Sequence, residues 1–282
     1  MITAAQQDYI ERHAHIPEHV PRYVIPVSEV EPHLFANYLV YAKRGFCVFI
    51  GYPLGEDFAE ERLSSALTEA VKRLRPDVVS LIAPAIPASL GQGPHPSRDH
   101  YYRLDLAALT ISQKVRNMLS RAERELTVRR HRHFSGEHRR LVETFLEERP
   151  ADEAVRHIFG RIEAYLASSP GASLFEARNR QGDLVAFDIA EFTPRDYAVY
   201  MFNFRSHSSY VPGASDLLLA AVMEQAAAEG KRYLNLGLGI NPGIAFFKKK
   251  WGGVAFLPYA YCLYRPARRG FFEALLRQLQ GM

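Results

Sequence analysis

The stretch "GIAFFKKKW" (243–251) places three lysines beside the chain's only tryptophan. At about 100° per residue on a helix, Ile244, Phe247, Lys248 and Trp251 fall within one face about 100° wide. Lys249 and Lys250 point elsewhere and read as surface charge. A lysine held against an apolar wall can have a lowered pKa, or can aim its charge at a developing oxyanion. The same spacing also fits a lysine whose stem packs on Trp251 while its ammonium reaches water. The preceding "GLGINPG" (237–243) is not a dinucleotide fingerprint, which requires a full helix and an acidic residue about 20 positions on. Here a short helix comes next and Tyr259 stands near that place; a Walker loop would need a terminal Gly-Lys-Ser/Thr. Asn241 is placed to cap the helix, with Pro242 as its first residue. Gly237 and Gly239 let the backbone splay after the strand, and both a tight strand-to-helix turn and a binding role fit them.

A second polar loop, "RSHSSYVPGAS" (205–215), precedes an apolar helix. Arg205, Ser206, His207, Ser208, Ser209 and Tyr210 offer donors there, suited to an anionic or carbonyl group at a helix N-terminus; a solvated loop has the same composition. Asn203 and Asn235 interrupt apolar strands, and burial would oblige both to hydrogen-bond something, the site being one option. Residues 112–140 carry nine Lys/Arg against three Glu, so the rest of the chain is slightly acidic although the net charge is +4. Arg116, Arg121 and Arg124 on this belt suggest an anionic partner or a solvated helix face. Other chemistries fail. His100 and Asp105 have an acyltransferase-like spacing but face opposite ways on a strand. "HAH" (13–15) and "HRH" (131–133) lack a ligand cluster, and arginines flank the second, so no metal site is expected. No G-x-S-x-G or H-E-x-x-H occurs.

These residues must be positioned by a chain of helices and strands. "RYVIPV" (22–27) reads as a strand, "EVEPHLFANYLVYAKRG" (29–45) as a helix closed by Gly45, and 46–53 as a buried strand. A helix (58–75) and a strand (77–84) complete a β-α-β unit with parallel strands. A Pro/Gly-rich loop (84–98), a strand (100–106) and a basic helix (111–126) come next. Two helices, a hairpin turning at Gln181-Gly182, and a strand at 197–204 lead to the crossover helix 216–230, with Ser215 as N-cap and Gly230 just past its end. A strand at 232–238, the lysine helix and a last strand at 253–264 close the chain. The order in the C-terminal half repeats that of 46–84. The expected domains are 1–126, including the linking basic helix 111–126, and 127–282, carrying the cleft.

With 282 residues, almost half apolar, the chain can bury a sizeable core. No basic stretch followed by an apolar one opens it, its apolar runs are far shorter than a membrane span, and its two cysteines are scattered, so a cytoplasmic location is expected.

Several segments together carry a resemblance: "CVFIGYPLGEDFAEERLSSALTEAV", the basic "SQKVRNMLSRAEREL", "PGASDLLLAAVMEQAAAEGKRYLNLGLG" and "FFKKKWGG". Their order resembles the GNAT superfamily of N-acyltransferases. Two such units in one chain are similar to the Fem aminoacyl-tRNA transferases and the catalytic domain of lysylphosphatidylglycerol synthase. The resemblance implies an α/β (α+β) fold of two GNAT-like units in tandem, each a mixed sheet with flanking helices. It implies transfer of an acyl or aminoacyl group, from acyl-CoA or aminoacyl-tRNA, to an amine or hydroxyl of a small-molecule, peptide or lipid acceptor. Lys248 matches the lysine of the family's "FK-x-x-[FW]-G" segment, Tyr210 is a candidate to protonate the leaving group, and the acyl group would sit where the strands diverge near Gly237 and Gly239. Two departures are visible. Tyr52 replaces an acidic residue before Pro53. The CoA pyrophosphate loop, Q/R-x-x-G-x-G/A, is reduced to Arg205, Ser208 and Gly213-Ala214, which favours tRNA as donor. A competing reading is a non-catalytic module of the same fold that binds RNA or anionic membrane through its basic helix.

Overall fold

The computed structural model describes residues 2–90, 97–148 and 152–266. Part of the loop read over 84–98, residues 91–96, lies outside the described residues. In chain order the elements are α1 (Ala4–His13), α2 (Pro21–Ser28), β1 (Glu31–Phe35), β2 (Tyr38–Lys43), β3 (Phe46–Ile50), α3 (Glu60–Leu74), β4 (Val78–Ala83), β5 (Ser97–Asp105), α4 (Gln113–Ala122) and β6 (Leu126–His131). They continue with α5 (Gly136–Glu148), α6 (Glu153–Gly160), α7 (Ile162–Ser168), β7 (Ala172–Asn179), β8 (Leu184–Glu191), β9 (Tyr197–Arg205), α8 (Ala214–Ala228), β10 (Tyr233–Leu238), α9 (Pro242–Lys250) and β11 (Val254–Tyr264).

The chain divides into two compact units that are not consecutive segments. Unit 1 comprises Met1–Pro32 and Arg98–Tyr259; unit 2 comprises His33–Ser97 and the chain from Ala260. The boundary expected at 126/127 falls inside unit 1. There β6 pairs antiparallel with β7, from Leu126↔Asn179 to His131↔Leu174, and this ladder ties the end of the basic segment to the C-terminal half. β11 gives Val254–Tyr259 to unit 1 and Ala260–Tyr264 to unit 2.

In unit 1 the strand order is β11-β5-β10-β9-β8-β7-β6. One face is covered by α8, whose Leu218, Val222 and Ala226 pack with Leu104, Leu234, Leu236 and Trp251. The other face carries Phe187 and Phe204 against Tyr165, Leu166 and Val142 from α5 and α7. A sheet covered on both faces explains why β8 is buried over nearly its whole length rather than in alternation. α8 is apolar almost all round because it lies in this core. In unit 2 the order is β1-β2-β3-β4-β11. Leu63, Leu67 and Ala70 of α3 cover Phe49, Val79 and Leu81.

Both expected β-α-β crossovers hold: β3 and β4 are parallel, as are β9 and β10. Three local expectations fail. Residues 22–27 are helical, as α2 begins with Pro21 at a position where a missing N–H costs nothing and buries Val27 in the core. Residues 29–45 form the hairpin β1–β2, turning at Ala36 with φ 49. Four consecutive buried residues in β2 hid the period of two. The basic helix ends at Ala122, and Leu126–His131 leaves it as the edge strand β6. No described helix is long and apolar enough to cross a membrane.

Candidate active site

β9 and β10 pair in parallel from Tyr233↔Tyr197 to Asn235↔Val199. β9 continues to Arg205 and β10 to Leu238, so beyond Asn235 the two strands part. On its other edge β10 bulges against β5 between Asn235 and Gly237. Gly237 takes φ 75, a left-handed conformation that favours glycine. Asn235 is fully buried and stabilises the divergence with both ends of its amide. Its Oδ1 accepts the Gly237 N–H (2.7 Å) and its Nδ2 donates to the His15 carbonyl (2.7 Å). The N-terminal segment thus reaches the divergence, where the Tyr101 hydroxyl also donates to Glu18 (2.9 Å). Sequence reasoning missed His15 and Glu18, because no local pattern links residues 220 positions apart.

Lys248 comes to this point from α9. Asn241 caps that helix, its Oδ1 accepting the Ile244 N–H (3.0 Å), with Pro242 as the first helical residue, as the sequence implied. The helix leaves Lys248 5% exposed while Phe246 and Lys249 face solvent. The Lys248 ammonium donates to the Leu238 carbonyl and lies 5.8 Å from the Tyr102 ring centroid. A Cβ added to Gly237 would stand 3.7 Å from Lys248 Nζ and 4.0 Å from the Tyr200 carbonyl. Burial brings the Lys248 pKa down to about 7, opposed by the charge of Asp99. A snorkelling lysine would show neither this burial nor this shift.

Around the N-terminus of α8 a second group assembles. Gly213, with φ 86, is the N-cap in place of the expected Ser215, whose hydroxyl instead meets the Asn203 side chain. A side chain at 213 would meet Met118 at 3.1 Å. Asn203 donates to Asp188 (2.5 Å). Burial pushes the Asp188 carboxyl up to about 7, against the pull of that hydrogen bond. Asp188 Oδ2 and the Tyr200 hydroxyl are buried and near enough to interact, yet neither makes a well-formed hydrogen bond. Asp216 accepts the Trp251 indole N–H (2.8 Å) and lies 2.5 Å from Lys250 Nζ. Lys250 is therefore not simple surface charge, as the helical spacing suggested; it neutralises a carboxylate.

The remaining candidates do not converge. Tyr210 is 55% exposed beside the Arg205 guanidinium, 5.6 Å away, whereas Lys248 is buried. Ser206 accepts the Ser209 N–H (3.0 Å) and contacts Ser208 Oγ (3.1 Å), so these serines shape their own loop. Arg116 folds back on Gln113 and the Ile111 carbonyl. Arg121 and Arg124 remain exposed.

One cluster of metal-ligand type was overlooked: His131, His138 and Glu176. Its two imidazoles face the Glu176 carboxylate. The Ser135 and His133 N–H groups donate to Nδ1 of His138 and His131, which puts the imidazole protons on the Nε2 atoms facing Glu176. Arg178 already binds that carboxylate through two nitrogens, at 2.9 and 3.0 Å.

Comparisons with known proteins agree with this architecture. The family model described as "Phosphatidylglycerol lysyltransferase, C-terminal" matches residues 30–255. No curated protein sequence matches the chain significantly. Among solved structures, L-PGS from Bacillus licheniformis is similar with a TM-score of 0.60 at 15% identity, covering 97% of this chain and 95% of that one. FemX is similar with a TM-score of 0.61 at 12% identity, covering 99% and 98%. A GCN5-related N-acetyltransferase from Kribbella flavida reaches 0.53 at 13% identity, covering 86% and 93%. The fold is therefore GNAT-like, with a mixed sheet and flanking helices.

Proposed function

Because the chain belongs to the phosphatidylglycerol lysyltransferase C-terminal family, we propose that it transfers an aminoacyl group from aminoacyl-tRNA to an amine or hydroxyl acceptor, at the divergence of β9 and β10. The observation that carries this reading is Lys248, a dry lysine gripping the strand-end carbonyl of Leu238 beside the glycine that opens the gap. The acceptor lone pair attacks the ester carbonyl, the bond to the ribose oxygen breaks, and the acceptor's proton replaces it on that oxygen. The Lys248 ammonium stabilises the oxyanion in a site of low dielectric. A pKa of about 7 leaves it able to pass a proton to the leaving oxygen. We read the two compact units as the two GNAT-like halves of the tandem.

The α8 terminus favours an aminoacyl donor over acyl-CoA. A CoA pyrophosphate at a helix N-terminus uses the backbone N–H groups and the positive end of the dipole. Here Asp188 is linked to that end through Asn203 and Ser215, and its second oxygen and the adjacent Tyr200 hydroxyl suit the ammonium of an aminoacyl group. The family's name makes the phosphatidylglycerol hydroxyl the first acceptor to try, and an amine-bearing peptide the second. The test is transfer of radiolabelled amino acid from charged tRNA to vesicles or peptide, against transfer from labelled acetyl-CoA. Label moving only from acetyl-CoA would refute the proposal.

A further inference from the structure

Asp99, at the N-terminal end of β5, belongs to no motif in the sequence. Its carboxylate nevertheless accepts three backbone N–H groups. Oδ1 takes those of His100 (2.7 Å) and Gly239 (3.2 Å), and Oδ2 that of Ile240 (2.7 Å). Two of these donors lie in the turn joining β10 to α9, some 140 residues away.

That turn is costly on its own terms. Ile240 has φ 56, a left-handed conformation that a β-branched residue avoids. Its side chain is 73% exposed, so packing does not hold it there. The charged hydrogen bond from its amide to Asp99 does. Gly239 fits the same account: a Cβ there would lie 2.7 Å from Asp99 Oδ1 and 3.1 Å from Tyr102 Cε2. Only glycine lets the backbone approach the carboxylate this closely.

The residue before this clamp is Leu238, whose carbonyl Lys248 holds. The turn 238–240 is thus gripped from both sides, by an ammonium on its carbonyl and a carboxylate on its next two amides. Lys248 is met by the Tyr102 ring from β5 and the Leu238 carbonyl from β10, and the charge of Asp99 from β5 acts on it. Of these, Asp99 is the carboxylate.

We infer that Asp99 is a positioning residue: it shapes the β10–α9 turn and sets a negative charge on the same turn whose Leu238 carbonyl Lys248 holds. The inference rests on Lys248 as the oxyanion-stabilising group. Without Asp99, burial alone acts on Lys248, and the fraction charged at neutral pH falls.

The experiment tracks Lys248 directly. Protein labelled with 13C-lysine is titrated by NMR through the Lys248 Cε signal, assigned by its loss in Lys248→Met. Wild type is compared with Asp99→Asn, which keeps an acceptor oxygen for the turn and drops the charge, and with Asp99→Ala. The Lys248 midpoint is expected to fall by about one pH unit in Asp99→Asn, and the pH profile of kcat to shift by the same amount with KM for the donor nearly unchanged. A lower melting temperature with an unmoved Lys248 midpoint would make Asp99 a purely structural clamp and overturn the inference. Should Asp99→Ala fail to fold, Asp99→Asn still decides. A shifted midpoint together with full activity in Lys248→Met would uphold the pairing and refute the catalytic reading instead.

Discussion

Replacing Lys248 by methionine keeps the stem and removes the charge, and its consequences follow from burial. An unfolded lysine binds its proton up to about pH 10.5, whereas here the folded value is about 7. Between these values the unfolded chain holds a proton that the folded chain has released, so wild-type stability rises with pH. With those two values, linkage at 1.36 kcal/mol per unit gives a gain of about 2 kcal/mol between pH 7 and pH 9. Lys248→Met lacks this term. At pH 7 it escapes a desolvation penalty of about 4 kcal/mol, and loses about 1–3 kcal/mol for the Leu238 carbonyl left without its donor. The variant is therefore expected to be at least as stable as wild type at pH 7, while transfer drops on the order of 100- to 10,000-fold. Urea denaturation of both proteins at several pH values, with transfer measured on the same preparations, provides the test. Taking the difference between the two cancels the other titrating groups. A difference that stays flat from pH 7 to pH 9, or a fully active variant, refutes the reasoning.

Other outcomes arise from the same geometry. Burial holds the His138 pKa down to about 4, so the folded state keeps it neutral while the unfolded chain protonates below about 6.5. That stability is lost as pH falls from 6.5 towards 4, by about 3 kcal/mol, and His138→Gln should flatten the acid limb of a denaturation series. Gly213→Ala places a side chain at φ 86 against Met118, and should cost about 1–2 kcal/mol in urea denaturation. Arg121→Glu with Arg124→Glu should weaken a tRNA gel shift and lower its salt dependence. Arg116→Glu should do so less, because its guanidinium is already engaged on its own helix.

The sequence by itself determined the features that rest on local physics. The spacing of Ile244, Phe247, Lys248 and Trp251 separated one lysine from its neighbours. Asn241 and Pro242 marked the start of α9, and the apolar run of α8 marked a buried crossover helix. Helical period and capping chemistry act within a turn or two, so they are written in consecutive residues. Strand pairing is not. β2 is buried on both faces and β6 is rich in arginine, so neither shows the alternation that reveals a strand, and only their ladder partners made them strands. The same distinction runs through the site. Lys248 was visible as an amphipathic oddity, but its shifted proton affinity depends on its burial beside Gly237 and Tyr102. Asn235, His15, Asp99 and Ile240 meet only because β5 and the N-terminal segment are brought against β10. Lys250 read as solvated charge until the fold placed Asp216 beside it. Desolvation and charge pairing are properties of neighbours far apart in the chain, which only the tertiary structure selects.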